Sequence, residues 1–449
     1  MINNVQQQHS FEPNGESQFD LIVVGCGPAG AAAAATASRK GLKVLILERG
    51  SYVGAKNLYG GVIYLSILRE LLEEAEIAKI PFERKIYRRT TMILDRDRAI
   101  SLSVDNPSWT DGLPNAITSH RREFDGFLAK IAQDRGATLI LEALVTDIEP
   151  GDRGKDAKVT VSNGDGSTEV ISAKYVVVAE GSNPHLLEKI SGKKGEAPVF
   201  SLGVKETISL DPTIIDERFG VDRTSGVDIE VLGATDDVAG GGFIYTNHGS
   251  ISIGLVVDID DLASKKRRPE DLLESFKSHP SIAPLIKGGT RLEYGAHLLN
   301  EAGYRNFPKS PIGRVVFAGD SASTLLAAGI YLEGVNYAIA SGIEVARLIA
   351  DTVLSNNFDE LVTLASRISR SFIGINHKRL SGAFEFASSD FAQDKLPKLA
   401  NYFADKVFTV NDPETKIGFA GALKFAMKEA KITRAEMARS LISGFRIFK

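Results

Sequence analysis

The amino-acid sequence predicts an α/β protein: a parallel nucleotide-binding sheet, an antiparallel sheet interleaved with it, and a helical C-terminal region. Three observations carry that expectation. A short run rich in β-branched residues, Phe19–Val24, leads into a glycine-rich turn and then an alanine-rich segment. Between Ser201 and Val257 apolar and polar residues alternate in short stretches, the period of half-buried strands. From residue 361 onward the pattern is mostly helical and becomes basic at its end.

At 449 residues the chain exceeds what one hydrophobic core serves, so two or more lobes are expected. Hydrophobic residues at 43% and charged residues at 24% place it among ordinary globular proteins. A net charge of −4 gives no reason to expect nucleic acid. Cys26 is the single cysteine, which excludes an intramolecular disulfide and any metal or iron–sulfur cluster held by this chain's cysteines alone. So few cysteines fit a reducing compartment. Residues 1–18 are polar, lack an apolar h-region, and read as a tail instead of a signal peptide. No run of about 20 apolar residues occurs, and the nearest, Leu325–Ala340, is broken by Glu333 and Asn336. A cytoplasmic location is expected, with any membrane contact confined to the surface of its inner face.

Taken in order, Phe19–Val24 reads as a strand and Gly25–Gly30 as a turn. The alanine-rich stretch to Lys40 is a helix closed by Gly41, and Leu42–Leu47 is a second strand ending at Glu48. This βαβ unit calls for a parallel sheet covered on both faces. Arg121–Gly136 has the pattern of an amphipathic helix ended by glycine. Strands are expected at Thr138–Ile148, Lys158–Val161 and Glu169–Ser172, and a buried one from Tyr175 runs into Glu180-Gly181. Leu202–Ile208, Val227–Leu232, Gly242–Thr246 and Ser250–Val257 read as the antiparallel sheet. Ile312–Asp320 reads as a further buried strand leading to a long helix that begins near Gly334. With no repeat or linker, the lobes are expected to interleave. Residues 19–66, 115–195 and 306–360 would form the nucleotide-binding domain. Residues 67–114 and 196–305 would form the substrate domain, and 361–449 the helical region.

Gly25-x-Gly27-x-x-Gly30 sits between strand and helix, with Glu48 ending the next strand. The three glycines suit a tight turn, close approach to a pyrophosphate, and close helix-to-strand packing. The helix start offers free N–H groups and partial positive charge to phosphates, and Glu48 can accept from a ribose. Together these predict a Rossmann-like dinucleotide site. Gly181 ends a strand where backbone can approach a cofactor. Asp320 brings a carboxylate to the end of a strand, where ribityl hydroxyls would meet it, and the Gly334 helix start would face a flavin ring. Three spaced elements on one nucleotide suit FAD because it is long. The competing reading of Asp320 is an ordinary helix cap.

The succession Gly25-x-Gly27-x-x-Gly30, Glu48-Arg49, Arg121-x-x-Phe124-Asp125, Val177–Gly181 and Gly319-Asp320 resembles the FAD superfamily of the glutathione-reductase and p-hydroxybenzoate-hydroxylase type. Gly54, Lys56, Asn57, Gly60, Gly61 and Tyr64, then Gly203–Glu206, Gly240–Asn247 and Ala318–Ala322, are similar to the FixC form of electron-transfer-flavoprotein:quinone oxidoreductases. The resemblance spans residues 19 to 380. It implies that Gly25, Gly27, Pro28, Ala29, Gly30, Glu48 and Arg49 hold the ADP half of FAD. Arg121 would contact its middle section, Asp320 the ribityl chain, and Gly334 with Val335 the flavin ring. Lys56, Asn57, Gly60, Val145 and Gly181 join them as cofactor-binding positions. Gly240 and Gly241 would line a quinone pocket, since backbone without side chains can reach a quinone carbonyl; a plain glycine-rich hairpin end is the competing reading.

The resemblance further implies electron relay from an electron-transfer flavoprotein to a membrane quinone. Cys26 alone cannot hold the iron–sulfur cluster of the mitochondrial type, so a separate ferredoxin-like subunit is the expected partner. Relay needs no catalytic dyad, and none is legible. The seven histidines show no metal-ligand spacing, and no metal is expected. His248, beside the proposed quinone strand, is a candidate proton relay. The alternative function is a geranylgeranyl-reductase-like enzyme saturating polyprenyl lipids. Leu325–Leu332 and Ile442–Ile447 are candidate membrane-facing segments, with ordinary core as the competing reading.

Overall fold

In the computed structural model, residues 19–55, 60–183, 185–191, 200–300, 311–329, 331–410, 415 and 417–447 are described. A smaller sheet holds the parallel strands Thr138–Ile140, Val44–Leu47, Phe19–Val24 and Thr168–Val178 in that spatial order. Val315–Phe317 pairs parallel with the final three residues of the last of these. The earlier half of that same long strand pairs antiparallel with Ala157–Ser162, which pairs with Leu144–Glu149. One strand therefore serves two layers.

The helix Pro28–Arg39 is buried along almost its whole length. Its alanines let two other helices lie close on it: Arg121–Asp134 and the 21-residue helix Val335–Ser355. Among the described residues the larger sheet has nine strands. Thr290–Asn300, Phe200–Ser209, Ser250–Asp258, Gly240–Thr246 and Ser225–Leu232 run antiparallel in spatial order, and then Arg84–Asp95 joins in parallel. Arg98–Asp105 extends that last strand as a hairpin. The strands Ala116–His120 and Gly60–Tyr64 close its edge.

Two expectations need correction. The strand expected over Thr138–Ile148 divides, because Glu142 takes a positive φ of 56° and turns the chain away from the edge of the parallel sheet. The strand expected over Ile312–Asp320 shrinks to Val315–Phe317, since Gly313 (φ 57°) and Gly319 (φ 66°) break the extended backbone on both sides. Leu325–Leu332 begins in the interior, with Leu325 and Leu326 buried, which agrees with the core reading of its first residues over the membrane-facing one. The helical C-terminal region is present, and Ile442 within it is exposed. Among the described residues no helix is long and apolar enough to cross a membrane.

Candidate functional site

The first part of the site is a backbone cradle. Gly25 has φ 92°, and a side chain there would overlap the carbonyl oxygen of Ala179. A side chain at Gly30 would overlap the carbonyl of Gly25, so the turn and helix pack backbone to backbone. Gly27 differs. A Cβ there would meet no atom within 4 Å, so it faces open space at the helix start. No side chain caps this helix, and Pro28 supplies no N–H, which leaves the remaining first-turn N–H groups for an anion. Ala29 sits at the next position, packed under Gly319 and Gly342.

Glu48 is aimed at that turn. Its Oε2 accepts from the Cys26 N–H at 2.8 Å and its Oε1 from the Gly50 N–H at 2.8 Å, which fixes the carboxylate while leaving lone pairs for ribose hydroxyls. Arg49 is exposed beside it. Burial, reinforced by the Glu48 and Asp125 carboxylates, pushes the Cys26 thiol far up, so it stays protonated and unreactive.

Further along, Arg121 opens its helix and makes a two-pronged pair with Asp125, at 2.8 and 2.9 Å. Asp320 accepts from Ser182 Oγ at 2.9 Å. Burial holds the Asp320 carboxyl up, against the opposing pull of Ser182, His297 and Arg121. It lies within a short turn, Gly319–Ala322, and does not cap the long helix. Gly181, with φ 84°, has open space where a Cβ would stand. His297 comes from the other sheet yet falls within the field of Asp320, Arg121 and Arg49, with burial depressing its basicity. Sequence gave no signal for it, because only the pairing of His297 with Gly203 brings that strand to the cofactor side. Gly334 precedes the first turn of Val335–Ser355, again with no side-chain cap. Val145 is buried in the core beneath the sheet, opposite Val161. Lys56 and Asn57 lie outside the described residues, while Gly60 begins its edge strand.

These residues fit a dinucleotide with a long second half. The open face at Gly27, the uncapped helix and the lone pairs of Glu48 match an ADP moiety. Arg121 and Asp320 fall within each other's field.

The second part is a cavity of about 350 Å³ in the larger sheet. Gly240, Gly241 and Gly242 form one wall, with Phe243, Tyr245 and Leu299 adding apolar surface. Gly61 and Tyr64 reach it from the strand begun by Gly60, and Gly329 and Tyr331 from the loop before Gly334. Packing explains two of the glycines directly. A Cβ on Gly240 would overlap the Val256 carbonyl oxygen, and one on Gly242 would stand 2.7 Å from Ala234 Cβ. The Gly240 N–H already donates to Gln393 Oε1 at 3.1 Å.

Three charged groups in this region escaped the sequence reading. Arg89 pairs with Glu230 and, at 3.4 Å, with Asp228, and both carboxylates line the cavity. A signal existed: two acids two residues apart in the otherwise apolar Val227–Leu232 put both charges on one face of a strand. Gln393 was unreadable, as it arrives from a helical segment about 150 residues downstream of the strand it touches. His248 lies exposed in the turn at the far end of the Gly240–Thr246 strand, away from the cavity lining, so it is not the cavity's proton relay. Among the described residues no cluster could hold a metal ion.

Residues 19–219 match the pyridine nucleotide-disulphide oxidoreductase family, and residues 200–299 match the family described as ETF-QO, ubiquinone-binding. Protein FixC of Escherichia coli O157:H7 is 36% identical over 429 residues, covering 92% of this chain and 98% of its own length. Protein FixC of Bradyrhizobium diazoefficiens is 36% identical over 329 residues, covering 73% and 74%. Among solved structures, a geranylgeranyl bacteriochlorophyll reductase-like protein from Thermoplasma acidophilum has a TM-score of 0.69 at 19% identity, covering 94% of this chain and 98% of that one. CmlS, a flavin-dependent halogenase, has a TM-score of 0.62 at 19% identity, covering 96% and 77%. At such identities these structures speak for the fold alone.

Proposed function

This chain belongs to the FixC family of FAD-dependent oxidoreductases, and from that footing we propose that it passes electrons from an electron-transfer flavoprotein to a membrane quinone. A separate ferredoxin-like subunit would supply the iron–sulfur cluster that Cys26 alone cannot hold. The observation that carries the proposal is position. The cavity at Gly240–Gly242 is walled on one side by Gly61 and Tyr64 and on another by Gly329 and Tyr331. Those segments adjoin Gly60, one of the expected cofactor-binding positions, and Gly334, which is expected beside the flavin ring. An electron acceptor in the cavity would therefore lie next to the cofactor.

When bound, FAD supplies the redox chemistry, taking up two electrons and giving them on. The protein positions and insulates. Gly25, Gly27, Pro28, Ala29 and Gly30 would seat the pyrophosphate at the helix start, Glu48 and Arg49 would bracket the adenosine side, and Arg121 with Asp320 would hold the middle. Lys56, Asn57, Gly60, Val145, Gly181 and Val335 belong to the same proposed set. In the cavity, Phe243 and Leu299 offer an apolar bed for a quinone ring. Gly241 lines it, and a Cβ there would stand 3.2 Å from the Val231 carbonyl oxygen, so only glycine fits without a shift. A lipid-soluble acceptor calls for contact with the inner face of the membrane by a surface of the protein.

The test is anaerobic visible spectroscopy of the FAD-loaded chain mixed with its reduced electron-transfer flavoprotein and a ferredoxin-like protein. Bleaching of the flavin, reversed by a soluble quinone, is the expected result. Bleaching only by dithionite or NADPH, with reoxidation by a polyprenyl lipid, would replace this reading with the lipid-reductase one.

A further inference from the structure

The strand Ser225–Leu232 alternates as a half-buried strand must. Val227, Ile229 and Val231 enter the core of the larger sheet, while Asp228 and Glu230 turn to its other face, where the cavity lies. Arg89 is the register partner of Asp228 on the parallel neighbour. Its guanidinium pairs with both carboxylates and lies between two aromatic rings, 5.5 Å from the centre of Tyr64 and 5.2 Å from that of Tyr331. Both rings also line the cavity.

Charge counting decides the protonation of this group. One cation and two carboxylates carry a net −1 if both acids ionise. Asp228 is buried, with 6% of its surface exposed, and an uncompensated charge in such a place is costly. One proton on the carboxylate pair makes the triad neutral. Burial first, then the neighbouring Glu230, hold the Asp228 carboxyl well above the usual range against the pull of Arg89. The titratable groups acting on the pair are Tyr64, Tyr245 and Tyr331, with Glu333 beyond them, and Asp258 lines the same cavity from the strand Ser250–Asp258. Burial raises all three phenols, so they stay neutral. Lys205 donates to the Tyr245 hydroxyl at 3.4 Å.

We propose that Asp228 and Glu230 store one shared proton at the cavity wall and deliver it to the substrate oxygen as the quinone is reduced. This rests on the quinone reading above. Quinone reduction takes two electrons and two protons. The electrons come from the reduced cofactor, whose own proton passes to solvent as it is oxidised, and each carbonyl oxygen gains one O–H bond. At the oxygen facing the strand, the O–H bond of the Asp228–Glu230 pair breaks and a new one forms on the substrate. The oxygen at the open side takes its proton from water. The pair is left at net −1 with Arg89 and regains its proton from solvent. Arg89 acts as the positioning residue, setting the pair's proton affinity and holding its geometry.

The experiment uses the full FAD-loaded chain, reduced anaerobically with dithionite and reoxidised in a stopped-flow instrument by a short-chain soluble ubiquinone or by ferricyanide. Ferricyanide takes an electron and no proton. Asp228→Asn is expected to slow reoxidation by quinone about a hundredfold at pH 7, with the ferricyanide rate staying within twofold of wild type. The wild-type quinone rate is expected to fall on the alkaline side as the shared proton is lost. Glu230→Gln leaves Asp228 facing Arg89 without a second carboxylate, so that alkaline limb moves to lower pH. This second variant tests the proposal should Asp228→Asn fail to fold. Quinone rates within twofold of wild type in both variants, with an unmoved pH profile, would overturn it. A wild-type protein reoxidised by ferricyanide but by no quinone would overturn the quinone reading, and this proposal with it.

Discussion

A side chain on Gly342 would overlap the carbonyl oxygen of Ala29, with the Ala29 carbonyl carbon only 3.0 Å from the Cβ position. The long helix Val335–Ser355 thus lies in backbone contact with the helix whose first turn is the proposed phosphate seat. One helix carries the proposed ADP site at its start and the other the proposed flavin-ring site at its own start. The Gly342–Ala29 contact holds the spacing between the two halves.

Gly342→Val is therefore expected to push the two helices apart, at a cost typical of overpacking, about 1–3 kcal/mol. Thermal unfolding of the apoprotein should show the loss, and equilibrium titration with FAD should show weaker binding, since the two ends of the site no longer match the cofactor. Unchanged affinity in a destabilised variant would mean that the contact supports the fold without setting the site.

Glu48 accepts backbone N–H bonds on both oxygens, from Cys26 and Gly50. Glutamine must turn an NH2 donor toward one of them, opposing donor to donor and releasing the end of the turn. Glu48→Gln is expected to weaken FAD binding by about 10-fold to 100-fold, the equivalent of roughly 1.4–2.8 kcal/mol. Fluorescence recovery of released flavin would measure it, and an affinity within twofold of wild type would remove Glu48 from the cofactor set.

Glu180 closes the strand that runs into Gly181, and its carboxylate accepts N–H bonds from Leu186 and, more weakly, Leu187. Burial nonetheless lifts it from 4.5 to about 7. Between those values the unfolded chain ionises this group while the folded chain keeps its proton. Stability therefore declines as pH rises from about 4.5 to about 7, and this contribution is flat above that range. Glu180→Gln lacks that decline. Its melting temperature relative to wild type should climb between pH 5 and pH 7 and then level off; a constant difference across that range would show Glu180 titrating normally.

Much of the fold was legible because its signals are local. Phe19–Val24, the glycine turn and the alanine helix follow from residue type over some twenty positions, and so does the close of the unit at Glu48. The alternation in Leu202–Ile208, Val227–Leu232, Gly242–Thr246 and Ser250–Val257 placed four strands of the larger sheet close to where they stand. The hairpin Arg84–Asp105 and the strand Thr290–Asn300 went unread. Their charged, exposed faces blur the alternation, and only pairing with distant strands identifies them.

By itself, then, the sequence determined the chemistry that backbone can carry: a glycine turn before a helix, a carboxylate twenty residues on, and a single cysteine with no cluster to ligate. Those depend on neighbours along the chain. Tertiary structure alone decided the company that side chains keep. Asp228 and Glu230 face Arg89 through the parallel pairing of two strands more than a hundred residues apart. His297 reaches the field of Asp320 from the opposite sheet, and Gln393 closes on Gly240 from the helical region. Burial and charge act through space, and the sequence orders residues only along the chain.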